Sequence, residues 1–258
     1  MTGDSTSMPS IISLVINLDR SPNRLKKISA QLDRLGLNWQ RVTAVDGATL
    51  NMDDITVLDT PRFHQQHGKP PLPGELGCYL SHIKALEALL STDHEWGLIL
   101  EDDADLGDGL PAVINALLEQ PQAWDLVKLS GMHSGTPVKA QKLLSGQDLC
   151  IALSSYTGAS CYLVNRCAAE RMSKRLLPMS LPYDWAYDRG WLLGLKVRIV
   201  MPAPCQHSFA MGSELHPKGI IRKNFPWYRR TSTYMWRLTN EINRILYGLS
   251  QFFNHRAN

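Results

Sequence analysis

Ile11-Ile-Ser-Leu-Val-Ile-Asn17 is followed by Ser21-Pro-Asn-Arg-Leu-Lys-Lys-Ile-Ser-Ala-Gln-Leu-Asp-Arg-Leu-Gly36 and then by Trp39-Gln-Arg-Val-Thr-Ala-Val45. The first run is short, apolar and bounded by polar residues, the pattern of a buried strand. Ser21 suits a helix N-cap and Pro22 the first helical position. Leu25, Ile28, Leu32 and Leu35 keep helical spacing, and Gly36 ends the helix. Residues 39–45 form a second strand, closed by Asp46-Gly47. Strand, helix and strand in this order make a βαβ start, which predicts a mostly parallel sheet flanked by helices in an α/β fold.

The pattern continues outward. Residues 74–91 predict a helix whose core stripe is Leu76, Tyr79, Leu80, Ile83, Leu86 and Leu90, with Glu75, Cys78 and His82 on a neighbouring face. Residues 96–100 predict a central strand. Helix 110–120, strand 125–129, strand 159–164 and helix 167–177 follow. Pro182-Tyr-Asp184 opens a further helix, and 195–201 is the last strand expected. Residues 50–73, with His64, His67 and four prolines, read as a surface loop, and 131–148 read as loop. There is no internal repeat.

With 258 residues and 44% apolar content, the chain can bury one large core or two small ones. The five cysteines form no CxxC pair and no zinc spacing, which suits reduced thiols in a cytosolic protein. Residues 1–10 are polar, lack an apolar signal core and are expected to be disordered. No stretch of 18 apolar residues predicts a membrane-spanning helix. The net charge of +3 is unevenly spread: residues 217–258 carry eight Lys/Arg against one acid, a net +7, leaving −4 on the rest. In that tail Met235, Leu238, Ile242, Ile245, Leu249 and Phe252 share one helical face, and Arg237, Asn240, Glu241, Arg244 and Gln251 the other. A basic amphipathic helix with aromatic edges suits a membrane interface. Nucleic-acid binding is the lesser reading of the same charges, and packing on the body a third. The expected organisation is therefore a disordered 1–10, a catalytic domain at 11–216 and a tail at 217–258.

The central strand ends in chemistry. Trp96-Gly-Leu-Ile-Leu100 runs straight into Glu101, Asp102, Asp103 and Asp105. Like charges at a buried strand end repel and are costly to desolvate, so a cation is expected among them. Glu101-Asp-Asp103 and Asp103-Ala-Asp105 both have the DxD spacing, which on strand alternation lets two carboxylates converge on one magnesium or manganese ion. Such a metal can neutralise a leaving diphosphate. Asp103 belongs to both spacings, Glu101 and Asp105 compete for the second position, and Asp102 points to the other side. Gly107-Asp-Gly-Leu-Pro-Ala112 matches GxGxxA, but it follows the acids rather than the first strand and reads as a plain helix start. No P-loop, HExxH or GxSxG is present.

Four blocks in order make the chain resemble glycosyltransferase family 25, the lipooligosaccharide galactosyltransferases related to collagen galactosyltransferases. They are Ile16-Asn-Leu-Asp-Arg20 with Arg24, Ala44-Val-Asp-Gly47, Gly74-Glu-Leu-Gly-Cys-Tyr-Leu-Ser-His82 and Leu98-Ile-Leu-Glu-Asp-Asp103. Weaker echoes are Thr157-Gly-Ala-Ser-Cys-Tyr162, Pro182-Tyr-Asp184 and residues 202–208. The resemblance implies a GT-A type fold with a Rossmann-like nucleotide-sugar half. It implies an inverting, metal-dependent transfer from a nucleotide sugar, most often UDP-galactose, to a growing surface glycan. Asn17, Arg20, Arg24, Asp46 and Gly47 then resemble a nucleotide-binding edge, while Glu75, Ser81, His82 and Asp102 are expected to line the donor pocket. Each has an ordinary alternative: Glu75 near a helix N-terminus offsets the dipole, His82 suits a satisfied core histidine, and Arg20 and Arg24 suit a helix surface. Asp184 is the expected general base, with an N-cap role as its alternative and Asp188 in reserve. His207 is expected to join the metal ligands or the diphosphate.

The expected partners are a nucleotide sugar, a glycolipid or glycan acceptor and a membrane surface, with no nucleic acid, at the inner face of the cytoplasmic membrane. Two competing functions remain. A nucleotidyltransferase would use the same acids but release pyrophosphate, and the missing Gly-rich loop after the first strand disfavours it. A non-catalytic glycan-binding or adhesion relative would be expected to lose the acids that are present here.

Overall fold

In the computed structural model, which describes residues 11–131, 135–207 and 225–257, the βαβ start forms as the sequence predicts. The expected disorder of residues 1–10 lies outside the described residues. β1 (Ile11–Asn17), α1 (Pro22–Arg34) and β2 (Trp39–Thr43) are followed by α2 (Thr60–His67), α3 (Pro73–Leu90), β3 (Trp96–Glu101), β4 (Ala104–Leu106) and α4 (Leu110–Leu118). Then come β5 (Leu126–Lys128), β6 (Pro137–Lys142), β7 (Asp148–Ala152), β8 (Cys161–Asn165), α5 (Arg166–Arg175), α6 (Tyr183–Ala186), α7 (Gly190–Leu193), β9 (Val197–Met201), β10 (Cys205–His207) and α8 (Thr231–Ala257).

Eight strands form one sheet in the order β2-β1-β3-β8-β5-β9-β7-β6, and β4 pairs with β10 in a small second ladder. β1 is parallel to both β2 and β3. β8 runs antiparallel between β3 and β5, and β7 antiparallel to β9 and β6, so six strands of the large sheet share one direction. Both faces are covered, which is why β1 and β3 read as continuous apolar runs rather than alternating ones. The period of two still sorts their side chains: Leu14, Ile16 and Ile99 enter the core beneath α3 and α5, while Val15, Leu98 and Leu100 enter the core with Ile28 and Leu32 of α1 and Val113 of α4.

Two loop expectations are corrected. Within 50–73, α2 forms because Pro61 sits in its first turn, where proline starts a helix, with Asp59 Oδ1 accepting the Arg62 N–H at 3.0 Å and Gly68 ending it at φ +76°. Within 131–148, β6 and the start of β7 form an edge hairpin. The sequence of β6, Pro-Val-Lys-Ala-Gln-Lys, is polar because an edge strand is solvated and guarded by charge. β10 also follows the strand expected to be last.

The tail helix is present, and it packs on the body through its polar face, the third of the three readings of the tail. Thr233, Asn240 and Arg244 are buried. Arg244 Nη1 donates to Asp188 at 2.7 Å, Arg237 Nη2 to the His67 carbonyl at 3.0 Å and Arg198 Nη2 to Gln251 at 3.0 Å. The Tyr247 hydroxyl donates to the Leu195 carbonyl and accepts the Val197 N–H. Met235, Leu238, Ile242, Ile245, Leu246, Leu249 and Phe253 are exposed. The polar face is thus the packing face, because the body offers buried carboxylate and carbonyl acceptors there, and the apolar face looks outward.

Candidate active site at the ends of β1 and β3

β1 and β3 end side by side, with Ile16 opposite Glu101. Ligands of open α/β sheets gather at such strand C-termini. β3 does not carry its alternation through the acids: it stops at Glu101, Asp102 and Asp103 turn, and β4 begins at Ala104. The four carboxylates therefore leave the chain in different directions, and each meets a different environment.

Asp102 is buried under the end of β1. Asn17 Nδ2 donates to it at 2.7 Å, and Arg24 Nη1, also buried, lies 3.3 Å away. Glu101 Oε1 lies 3.2 Å from His82 Nε2 and 3.5 Å from Cys78 Sγ. Burial pushes the Glu101 carboxyl up, but its bonds to His82 and Cys78 outweigh this and hold it below the usual range. Asp103 Oδ1 lies 3.4 Å from His207 Nδ1, brought there by the antiparallel pairing of His207 with Ala104. Burial and the Glu101 charge raise Asp103 to about 6. Asp105 takes the exposed position of β4, between buried Ala104 and Leu106, and stands apart from this group. The turn at 102–103 breaks the alternation on which the Asp103-Asp105 pairing rested.

Ligand atoms of Glu101, Asp103 and His207 lie within 4.8 Å of one another. Asp103 Oδ1 is buried and has no hydrogen-bond partner among the described residues. Two carboxylates and an imidazole around an unsatisfied oxygen fit a divalent cation such as manganese. A second cluster, Cys78, His82 and Glu101, fits less well. Burial holds the Cys78 thiol well above its ordinary value, so it stays protonated and is a poor ligand.

Several expected donor-pocket residues serve the scaffold instead. His82 is fully buried, with its ring stacked 4.0 Å from Tyr183 and Nδ1 3.2 Å from the Tyr162 hydroxyl. It orients Glu101 rather than lining a pocket. Ser81 accepts the Val45 N–H at 2.8 Å and donates to the Gly77 carbonyl at 2.6 Å. Glu75 caps α3 by accepting the Leu72 N–H at 3.1 Å. Gly47 is a packing glycine: a Cβ there would meet the Pro73 carbonyl oxygen at 1.9 Å, and one on Gly77 would meet the Gly47 nitrogen at 2.6 Å. The blocks at 44–47 and 74–82 thus lock together by direct backbone approach. Arg20 pairs with Asp46, which also caps the short turn at Gly47–Thr49 by accepting the Ala48 N–H.

Asp184, on α6, accepts the Gly158 N–H at 3.3 Å. Burial raises its pKa, Lys128 opposes the rise, and the Glu101 charge adds to it. Asp188 is sealed between Arg244 at 2.7 Å and Lys128 at 3.9 Å, which removes it as a reserve base because no acceptor hydroxyl reaches it. Sequence reasoning missed Lys128, a fully buried lysine that donates to the Tyr156 carbonyl and lies 4.6 Å from the Tyr187 ring centroid. Its signal was a charge closing the apolar run Leu126-Val-Lys128. Cys78, Tyr162 and Tyr183 stood inside the quoted sequence blocks, but no role was expected of them.

A family model described as glycosyltransferase family 25 (LPS biosynthesis protein) matches residues 10–187. A glycosyltransferase 25 family member of Aedes aegypti is 34% identical over 120 residues, 44% of this chain and 20% of its own length. The inactive glycosyltransferase 25 family member 3 of Homo sapiens is 29% identical over 178 residues, 66% of this chain and 30% of its own length. Procollagen galactosyltransferase 1-B of Xenopus laevis is 25% identical over 178 residues, 66% of this chain and 29% of its own length. The chain spans less than a third of the length of each of these three relatives. His207 and α8 lie beyond the matched region.

Proposed function

The chain belongs to glycosyltransferase family 25, and from that premise we propose that it is an inverting, metal-dependent transferase moving galactose from UDP-galactose onto a bacterial lipooligosaccharide or similar surface glycan. The observation that carries this is the convergence of Glu101, Asp103 and His207 within 4.8 Å, around a buried Asp103 oxygen with no hydrogen-bond partner among the described residues. A manganese or magnesium ion held by these three would supply charge neutralisation for the leaving diphosphate. Arg24, held beside Asp102 and Asp103, adds a fixed positive charge at the same strand end. Asn17 and Asp102 hold the end of β1 in register with the acids.

Asp184 is the general base. It accepts the proton of the acceptor hydroxyl as that oxygen bonds to the anomeric carbon and the bond to the nucleoside diphosphate breaks. Its raised pKa suits proton uptake nearer neutral pH than an ordinary carboxylate allows. The galactosyl assignment is supported by the similarity to the procollagen galactosyltransferase, and the surface-glycan acceptor by the description of the matched family.

The protein works as a peripheral protein at the inner face of the cytoplasmic membrane, where a lipid-linked acceptor is presented. The uncharged apolar face of α8 supports this, together with exposed Trp227, Tyr228 and Arg229 at its start. Among the described residues no helix is long and apolar enough to cross a membrane. The test is a donor screen with manganese and a truncated glycolipid acceptor, reading released nucleotide. UDP release with UDP-galactose in wild type, abolished in Asp103→Asn with the fold retained, is expected. Absence of turnover with every nucleotide sugar removes the reading.

A further inference from the structure

Away from the acids, a cavity of about 230 Å³ opens between the end of α5, the segment after it, α6 and α7, with α2 at its rim. Three of its lining residues are arginines: Arg62 from α2, Arg175 from α5 and Arg189 just before α7. No acid lines it. Among the described residues Ser180 is the one hydroxyl in the lining, and the remaining walls are apolar, including Leu177 and Pro178.

Arg189 makes this arrangement unusual. It is only 8% exposed, and its Nε has no hydrogen-bond partner among the described residues. The Trp236 ring lies 5.9 Å from its guanidinium carbon. Asp188, its sequence neighbour, is engaged by Arg244. Burial lowers Arg189 to about 10, so it remains charged at neutral pH. Arg62 adds like-charge repulsion to it, and among the described residues Arg175 reaches only the Leu192 and Leu193 carbonyls, at 3.4 and 3.5 Å. A buried guanidinium whose Nε has no partner among the described residues, in a cavity lined by two more arginines, is costly unless an anion completes it. Guanidinium forks match the oxygens of phosphate, bidentate and charge-assisted.

We propose that this cavity is a phosphate-binding site, taking either a phosphate carried on a sugar or free phosphate, formed by Arg62, Arg175, Arg189 and Ser180. It is distinct from the strand-end acids. Arg189 neighbours Tyr79, the Tyr79 ring packs edge-on against Tyr183, and Tyr183 stacks on His82, the partner of Glu101. An aromatic layer therefore separates the two sites. A phosphorylated glycan seated here, with its ring against the apolar wall, would be an acceptor for the transfer. That role rests on the transferase reading; the binding itself does not.

The experiment titrates the full-length protein, in chelator to exclude metal–phosphate binding, with inorganic phosphate, glucose 6-phosphate and glucose, followed by calorimetry and thermal shift. Saturable binding of one or both phosphates and none of glucose is expected. Arg62→Ala, an exposed position that leaves the fold intact, weakens the phosphate by roughly tenfold, the loss of one charge-assisted contact. Arg189→Met holds or raises Tm without phosphate and abolishes the Tm rise with it, while Asp103→Asn binds phosphate as wild type does. Tighter binding of glucose 6-phosphate assigns the site to a glycan-borne phosphate, and equal or tighter binding of inorganic phosphate assigns it to the free anion. No saturable binding of either, or wild-type affinity in both arginine variants, overturns the proposal whatever the outcome of the transferase assay.

Discussion

Arg244→Met should destabilise the whole molecule, although Arg244 belongs to a tail that reads as a separable appendage. Its Nη1 lies 2.7 Å from Asp188 Oδ2, and the two side chains are 4% and 2% exposed. Breaking a buried pair by removing one member costs about 3–5 kcal/mol, because the survivor is left charged and dry. Lys128 Nζ remains 3.9 Å from Asp188 and offsets part of that, so the lower end, about 3 kcal/mol, is expected. For a domain of this size each kcal/mol shifts Tm by ~2–4 °C, giving a fall of roughly 6–12 °C. Chemical denaturation of wild type, Arg244→Met, Asp188→Asn and the double variant measures the pair directly. The double variant should be more stable than the sum of the single losses predicts, with a coupling above ~1 kcal/mol. A single-variant loss below ~0.5 kcal/mol, or simple additivity, would refute the view that α8 is bolted to the catalytic body through this pair.

Three further outcomes follow from the same geometry. Ile242→Glu with Leu246→Glu should cut binding to anionic vesicles severalfold without lowering Tm, because both side chains are exposed. Wild type should stay bound in about 0.5 M NaCl, since salt screens charge but not apolar burial; release by salt in a sedimentation assay would restore the electrostatic reading of the tail. His82→Ala should lower metal affinity or activity about 10–100-fold through lost orientation of Glu101, while nucleotide binding without metal is retained. Asp184→Asn should reduce kcat by ~10²–10⁴. In wild type, kcat/KM should fall as pH drops through a limb above the ordinary carboxylate range, because burial raises Asp184 and its protonated form cannot accept the hydroxyl proton. The same limb in Asp184→Asn would assign the base elsewhere.

The α/β class was legible because β1 and β3 are buried on both faces and so carry unbroken apolar runs, and because Ser21-Pro22 and Gly36 punctuate α1. α2 escaped notice because the four prolines of residues 50–73 were counted as breakers, whereas Pro61 stands in a first turn. β6 escaped because an edge strand need not be apolar. At the site, the acids were legible as an unexplained charge at a strand end, but their division was not. That division depends on the turn at 102–103 and on which partners the fold brings close: Arg24 and Asn17 for Asp102, His82 for Glu101, His207 for Asp103. The amphipathic pattern of α8 was legible as a pattern, but the packing of its polar face on the body was not. Sequence periodicity shows that two faces differ, and only the buried acceptors of the body decide which one turns inward.

The most direct test of the account is a manganese titration, followed by electron paramagnetic resonance, on wild type and single variants. One bound manganese per chain is predicted, lost in Asp103→Asn, weakened in His207→Ala and unchanged in Asp105→Asn. Retention of the ion in Asp103→Asn, or its loss in Asp105→Asn, would contradict the assignment of Glu101, Asp103 and His207 as the metal-binding group.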